Sequence, residues 1–281
     1  MESRDWHEVL LNYPDAAVRN RYKFIADTSR ARWHEKLDLG PEHKVLDLGA
    51  GLGTATEALA GRGAQVYSAE QVEERVQFMR IRFQQKGFSN VHLLRAGADS
   101  LPFRGAIFDL IVLNGVLEWM PFSRPQDNPR DAQLHYLKKA YDLLKPGGTL
   151  YLGIENRTNY SLLLGSSDPH ILLRWVAVLP RPLANAVTMK KTGQPYRTYI
   201  YSYRGYCKML SETGFKNVKG YAALPSYANP QRMVDLGANG NELSDEVWPT
   251  VNPVSKAFKS LALRFDKLKY FGPAYVMFAQ K

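Results

Sequence analysis

Short apolar blocks recur along the first half of the chain, each bounded by glycine, proline or charge and each too short for a helix. Val45 to Leu48, Gln65 to Ala69, Val91 to Arg95, Phe108 to Asn114 and Thr149 to Ile154 read as strands. The fourth is almost continuously apolar, which predicts burial on both faces, as in a parallel sheet. Between the blocks the apolar period lengthens to that of a helix: Thr54 to Arg62, then Val72, Val76, Met79 and Phe83 up to Gly87. Leu134, Leu137, Tyr141 and Leu144 mark another helix over Asp131 to Lys145, stopped by Pro146-Gly147-Gly148. Strand and helix in alternation predict an α/β fold. Ahead of the first strand, Val18 to Leu37 has few breakers and reads as one helix ending near Gly40-Pro41. Beyond residue 155 the pattern loosens. Ser202 to Thr213 reads as a helix, and Lys216 to Ala223 and Ala274 to Gln280 as the sixth and seventh strands.

The 281 residues, 45% hydrophobic and 23% charged, fit a single elaborated domain over 1–281. Its expected parts are a helical cover (1–40), a ligand-binding core (41–155) and insertions at 156–200 and 225–272, where substrate choice is expected to reside. One cysteine, Cys207, excludes an intrachain disulfide and suits a reducing, cytoplasmic compartment. The N-terminus lacks an apolar signal core, and no apolar run is long enough to span a bilayer; Ile171 to Pro180 is broken by Arg174. The net charge of +10 is scattered. It reads either as a solvated surface or as attraction to an anionic partner: a phosphorylated substrate, an acidic membrane or RNA.

The chemistry concentrates at Val45-Leu46-Asp47-Leu48-Gly49-Ala50-Gly51-Leu52-Gly53-Thr54. A glycine-rich turn between strand and helix brings backbone N–H groups close to a ligand. A dinucleotide fingerprint would carry glycine where Thr54 or Thr56 stands, and Asp47 would repel a pyrophosphate. A carboxylate there suits a cationic, phosphate-free ligand. Glu70 ends the second strand at about the ~20-residue spacing at which an acidic side chain meets a ribose.

This stretch resembles the first motif of class I, Rossmann-like S-adenosylmethionine-dependent methyltransferases of the type 11 kind. The ordered features downstream, through the "helix, Leu-Lys-Pro-Gly-Gly, strand" phrase at 131–154, strengthen the resemblance. It implies a doubly wound, seven-stranded, mostly parallel sheet with an antiparallel last strand between the fifth and sixth. It also implies a transferase that binds S-adenosylmethionine through Asp47, Gly49, Gly51, Gly53, Glu70, Gln71, Ala98, Asp99 and Asn114. In that family the residue matching Asp99 accepts from the adenine amino group.

Glu155-Asn156-Arg157 after the fifth strand, then Asp168-Pro169-His170 and a Tyr-Ser-Tyr-Arg helix, loosely resembles methyltransferases associated with bacterial cell-surface saccharides. The resemblance implies a glycan, nucleotide sugar or lipid-linked saccharide as substrate; the expected activity is methylation, at oxygen, of a small molecule, saccharide or lipid-linked intermediate. Arg157, Arg197, Tyr199 and Arg204 are the candidate contacts for an anionic substrate, in a pocket between 114–119 and 155–206; the alternative is that the arginines hold the insertion together. His170 and Glu118 are the candidate proton acceptors. The histidines at 7, 34, 43, 92 and 135 form no cluster, and no metal site is expected. The competing reading is an RNA or protein methyltransferase using the basic surface; against it, Asn114 leads into Gly-Val-Leu and not into the Asn-Pro-Pro-Tyr motif of base methylation. Ser255 to Lys269 reads as a basic amphipathic helix, able to meet a membrane peripherally or to pack on its own domain.

Overall fold

In this computed structural model, residues 5–238, 253–264 and 267–281 are described. The strands are β1 (Lys44–Leu48), β2 (Gln65–Glu70), β3 (Val91–Arg95), β4 (Phe108–Asn114), β5 (Leu144–Glu155), β6 (Lys216–Ser226), β7 (Asn229–Asp235) and β8 (Ala274–Gln280). The helices are α1 (Trp6–Leu11), α2 (Ala16–Ala26), α3 (Thr54–Ala60), α4 (Glu73–Gln85), α5 (Pro129–Leu143), α6 (Tyr160–Leu163), α7 (Arg181–Thr192), α8 (Tyr203–Glu212) and α9 (Pro253–Arg264). They form an α/β fold whose sheet has the order β3-β2-β1-β4-β5-β8-β6-β7. Among the described residues the sheet has eight strands, not seven. The extra strand, β7, forms a hairpin with β6 inside what the sequence suggested was an insertion. Its Asn-Pro opening disguised it, since proline is tolerated in strands mainly at a sheet edge, where β7 lies.

The chain divides into two compact units, residues 1–114 with 142–150, and residues 115–141 with 151–281. In the first, β1 pairs in parallel with β2 and β4, and β2 with β3. Val45, Leu46, Val66, Leu110 and Val112 are buried to within 1% of full exclusion, which accounts for their apolar sequence. The long N-terminal helix breaks at Asp27, whose carboxylate accepts from Ser29 N and starts a 3-10 segment over Thr28–Lys36. Thr54 Oγ1 donates to Ile25 O at 2.5 Å and fixes α2 beside the glycine turn.

In the second unit β6 runs antiparallel to both β7 and β8. Asn156 is fully buried, and its amide donates to the carbonyls of Tyr270 (2.9 Å) and Gly272 (2.7 Å), anchoring the start of the insertion. Val176, Ala184 and Tyr196 form a core of the insertion's own. In α9, Ala262 is buried, as is Leu268 in the turn beyond, but Leu261 is 54% exposed and Lys259 is buried. The α9 side chain of Phe258, and Phe265 with it, lie outside the described residues.

Candidate functional site

In the first unit, β1 ends at Leu48 and the chain turns through Gly49, Gly51 and Gly53 at φ of 75°, 60° and 81°, in the left-handed region that favours glycine. A Cβ on Gly53 would meet the Phe83 ring at 2.6 Å, whereas one on Gly51 would meet nothing within 4 Å. Gly53 is therefore set by packing as well as φ, and Gly51 faces open space. The turn is held from behind by Arg82, fully buried, which donates to Leu52 O (2.8 Å) and pairs with Glu57 (2.7 Å). Glu70, 4% exposed, accepts from Gly51 N through one oxygen and from Val72 N through the other, both at 3.0 Å. Asp47 accepts from Thr56 Oγ1 at 2.7 Å; burial, with the charge of Glu70, pushes its carboxyl up to about 6.

In front of the turn lies a cavity of about 260 Å³. Asp47, Gly49, Gly51 and Asn114 line it, with Arg21 and Arg30 from the N-terminal helices. Gly53, Glu70, Gln71, Ala98 and Asp99 are outside this lining. Ala98–Ser100 is a 3-10 turn after β3, and Asp99 on it is exposed.

The second unit builds its site from side chains. Glu118 follows β4 and is fully buried, and among the described residues neither carboxylate oxygen has a hydrogen-bond partner. His170 brings Nε2 to 3.8 Å from Glu118 and 3.6 Å from Glu155, while Nδ1 lies 3.4 Å from Asp168. Asp168, also fully buried, accepts from His170 N (2.8 Å), Ile171 N (3.2 Å) and the Tyr196 hydroxyl (2.9 Å). Burial alone would lower the His170 pKa; contacts with Asp168 and Glu118, and the charge of Glu155, outweigh it and push it up to about 10. Burial, and then the charge of Glu118, push Glu155 up to about 7 against the pull of His170. Held in this way, His170 keeps its proton at neutral pH, and the carboxylates beside it are the groups able to accept one. The Tyr227 hydroxyl lies near enough to Glu155 to pull its pKa down, and its ring lies where a Cβ on Gly115 (φ 70°) would stand, 2.5 Å from Tyr227 Oη. Glu155 and Tyr227 border a cavity of about 280 Å³ that Asn159, Ser161 and Ser226 also line. Among the described residues, Glu118, Glu155 and His170 also form a set whose ligand atoms lie within 4.8 Å of one another, close enough to hold a metal ion.

The sequence pointed to His170 and Glu118, and the structure brings them together. It missed Glu155 as a site residue, though Glu155 ends β5 and the strand-end rule that selected Glu70 applies to it equally. Tyr227 had no such signal, because it arrives on the unrecognised β6–β7 turn. The arginines behave differently. Arg157 donates to the carbonyls of Ala177 and Leu179 at 2.8 Å, and Arg197 to those of Pro121 (2.8 Å), Arg124 (2.9 Å) and Asp127 (3.0 Å). Both brace loops, by carbonyl hydrogen bonds and not by ion pairs. Arg204 is exposed. Tyr199 lies under the guanidinium of Arg181, 4.0 Å from its ring centroid.

Residues 39–171 match a family model described as a methyltransferase domain. The chain is 31% identical over 149 residues to a ubiquinone biosynthesis O-methyltransferase of Ruegeria pomeroyi, covering 51% of this chain and 54% of that protein. It is 34% identical over 134 residues to one of Xylella fastidiosa, covering 47% and 49%. The chain thus spans about half the length of the curated relatives it matches. A SAM-dependent methyltransferase structure from Archaeoglobus fulgidus superposes with a TM-score of 0.53 at 15% identity, over 95% of this chain and all of that one, which shows a shared fold. Residues 39–171 are thus similar to a methyltransferase domain, in a fold shared with a SAM-dependent methyltransferase, and the cofactor that this similarity supports is S-adenosylmethionine. The first unit's cavity fits that group: Gly51 opens onto it without a Cβ, and the buried Asp47 supplies a carboxylate for a cationic ligand.

Proposed function

We propose that this chain is an S-adenosylmethionine-dependent O-methyltransferase that takes a small hydroxyl-bearing molecule into the Glu155–Tyr227 cavity. The observation that carries it is the placement of two carboxylates, the buried Glu118 and the partly buried Glu155, around His170, with Glu155 at the border of that cavity. Both follow the carboxyl ends of strands, the edge at which open α/β sheets bind ligands. The names of the curated relatives support oxygen as the acceptor atom and a small molecule as the substrate.

S-adenosylmethionine supplies an electrophilic methyl group, so the protein must orient a hydroxyl, exclude water and take up one proton. Glu155 accepts the hydroxyl proton as the oxygen gains its methyl. Its pKa near 7 leaves a substantial fraction ionised at neutral pH and makes it basic enough to take the proton. The His170 imidazolium balances the carboxylates, and Asp168 fixes its ring. Asp47 and the glycine turn hold the cofactor. Phenols and saccharides both offer such a hydroxyl, and Asn159, Ser161 and Ser226 suit either; the basic surface favours no RNA or protein substrate once Arg157 and Arg197 are occupied internally.

The test is transfer of labelled methyl from S-adenosylmethionine into phenolic and saccharide panels, with total RNA as a parallel substrate. Label in a small-molecule hydroxyl, lost in Glu155→Gln, is expected. Label only in RNA, or a Glu155→Gln enzyme as fast as the parent, overturns the proposal.

A further inference from the structure

The 156–200 insertion carries an apolar surface that its own core leaves uncovered. In α7, Ala184 and Thr188 turn inward and are buried, Ala184 against Val176 and Tyr196. On the outer side of the same helix Leu183 and Val187 are 55% and 37% exposed, and exposed Lys190 and Lys191 continue their stripe at helical spacing. In the preceding loop Leu172 and Trp175 are 75% and 48% exposed, and both are held at positive φ, 59° and 69°. Bulky side chains rarely adopt that conformation, and here it sets both outward while Val176 and Ala177 beside them are buried.

Charge gives this surface a direction. From Asn156 to Arg204 the sequence contains seven lysines and arginines and a single carboxylate, Asp168. Asp168 is fully buried and engaged with His170 and Tyr196, so the insertion shows solvent no acidic group at all. Arg174, Lys190 and Lys191 are exposed beside the apolar positions. Apolar side chains rimmed by cations, with a tryptophan among them and carboxylates excluded, match the chemistry of an anionic bilayer surface: acyl chains below, phosphates above. Self-association through this face would set the same cations against one another.

We infer that α7 and the 172–175 loop dock this protein on anionic phospholipid membranes, with Leu172, Trp175, Leu183 and Val187 at the acyl boundary and Arg174, Lys190 and Lys191 at the headgroups. In α9, the segment whose sequence suggested such a role, Lys259 is buried while Leu261 is exposed. The docking face goes beyond the methyl-transfer reading and uses none of its residues, so either can fail without the other.

The experiment is flotation of the full chain with phosphatidylcholine vesicles with and without phosphatidylglycerol, at low and high salt. The parent chain is expected to float with the anionic vesicles only, less so at high salt. Leu183→Glu with Val187→Glu should reduce the bound fraction about tenfold, and Lys190→Glu with Lys191→Glu severalfold. S-adenosylmethionine affinity and melting temperature should stay at parental values in both variants, because all four side chains are exposed. A parent chain that does not float with anionic vesicles, or variants that float as well as the parent, overturns the inference. So does concentration-dependent self-association that these substitutions abolish while vesicles bind nothing.

Discussion

The cavity of the first unit forms around a glycine turn, whereas the cluster of the second is assembled almost wholly from side chains. Gly49, Gly51 and Gly53 shape the first within five consecutive positions, and Glu70 ties itself to that turn through Gly51 N. The second gathers Glu118, Glu155, Asp168, His170 and Tyr227 from four separate stretches of chain. A backbone site binds a part common to many reactions and tolerates little variation in geometry. A side-chain site can be re-equipped residue by residue while the fold stays, which is how one fold serves many acceptors.

If that division holds, disabling the cluster should spoil chemistry and spare cofactor binding. Glu155→Gln is expected to lower kcat by ~10²–10⁴-fold, the usual range for losing acid–base assistance. Calorimetric affinity for S-adenosylmethionine should remain within about twofold, since Glu155 is outside the first cavity's lining. An equal fall in affinity and kcat would break the comparison.

The converse substitution strikes the support behind the glycine turn. Arg82→Met leaves Glu57 buried with only Lys86 to pair with and frees the Leu52 carbonyl. Removing one partner of a buried pair costs about 3–5 kcal/mol, to be read from the denaturation midpoint. Affinity for S-adenosylmethionine should fall with it. A variant as stable as the parent would mean that Arg82 is not what holds the turn.

What was legible follows the same division. β4 begins and ends where its apolar block does, because a strand buried on both faces writes its limits into consecutive residues. The glycine turn was legible for the related reason that left-handed φ requires glycine. Arg82 was not, since a buried cation inside an apolar helical stripe reads as one more solvated charge. Nor was the bracing by Arg157 and Arg197, because sequence cannot show which carbonyls a loop leaves unpaired. β7 was lost to its proline, and Tyr227 with it.

The acid–base state of the cluster offers a pH signature that the first unit lacks at alkaline pH. Contacts with Asp168 and Glu118 raise the folded His170 pKa from 6.5 to about 10 despite burial. Between those values the native protein holds a proton that the unfolded chain has released, so stability falls as pH rises through that window. Below 6.5 both states are protonated and the contribution is fully present. Melting temperatures from pH 6 to 10 should therefore decline more steeply in the parent than in His170→Gln. Parallel profiles would remove the imidazolium from the account. Asp47 titrates near 6 and contributes nothing to the slope above pH 7.

The smallest effect, and the finest test of the first unit, concerns Asp99. Glu70 is a blunt instrument here: its carboxylate accepts from Gly51 N and Val72 N, so Glu70→Ala would loosen the turn and remove a ligand contact together. Asp99 is exposed on a 3-10 turn after β3, and its loss leaves the strand and its pairing untouched. If its carboxylate meets the adenine amino group, as the resemblance implies, Asp99→Ala removes about one hydrogen bond, worth roughly 0.5–1.5 kcal/mol. The expected result is a loss of about two- to tenfold in affinity for S-adenosylmethionine with kcat and melting temperature unchanged. The same substitution should leave affinity for methionine alone, which has no adenine, as it was. Equal affinity of parent and variant for the whole cofactor would place the adenine elsewhere, and the side-chain part of the first site would then have to be sought away from the turn at 98–100.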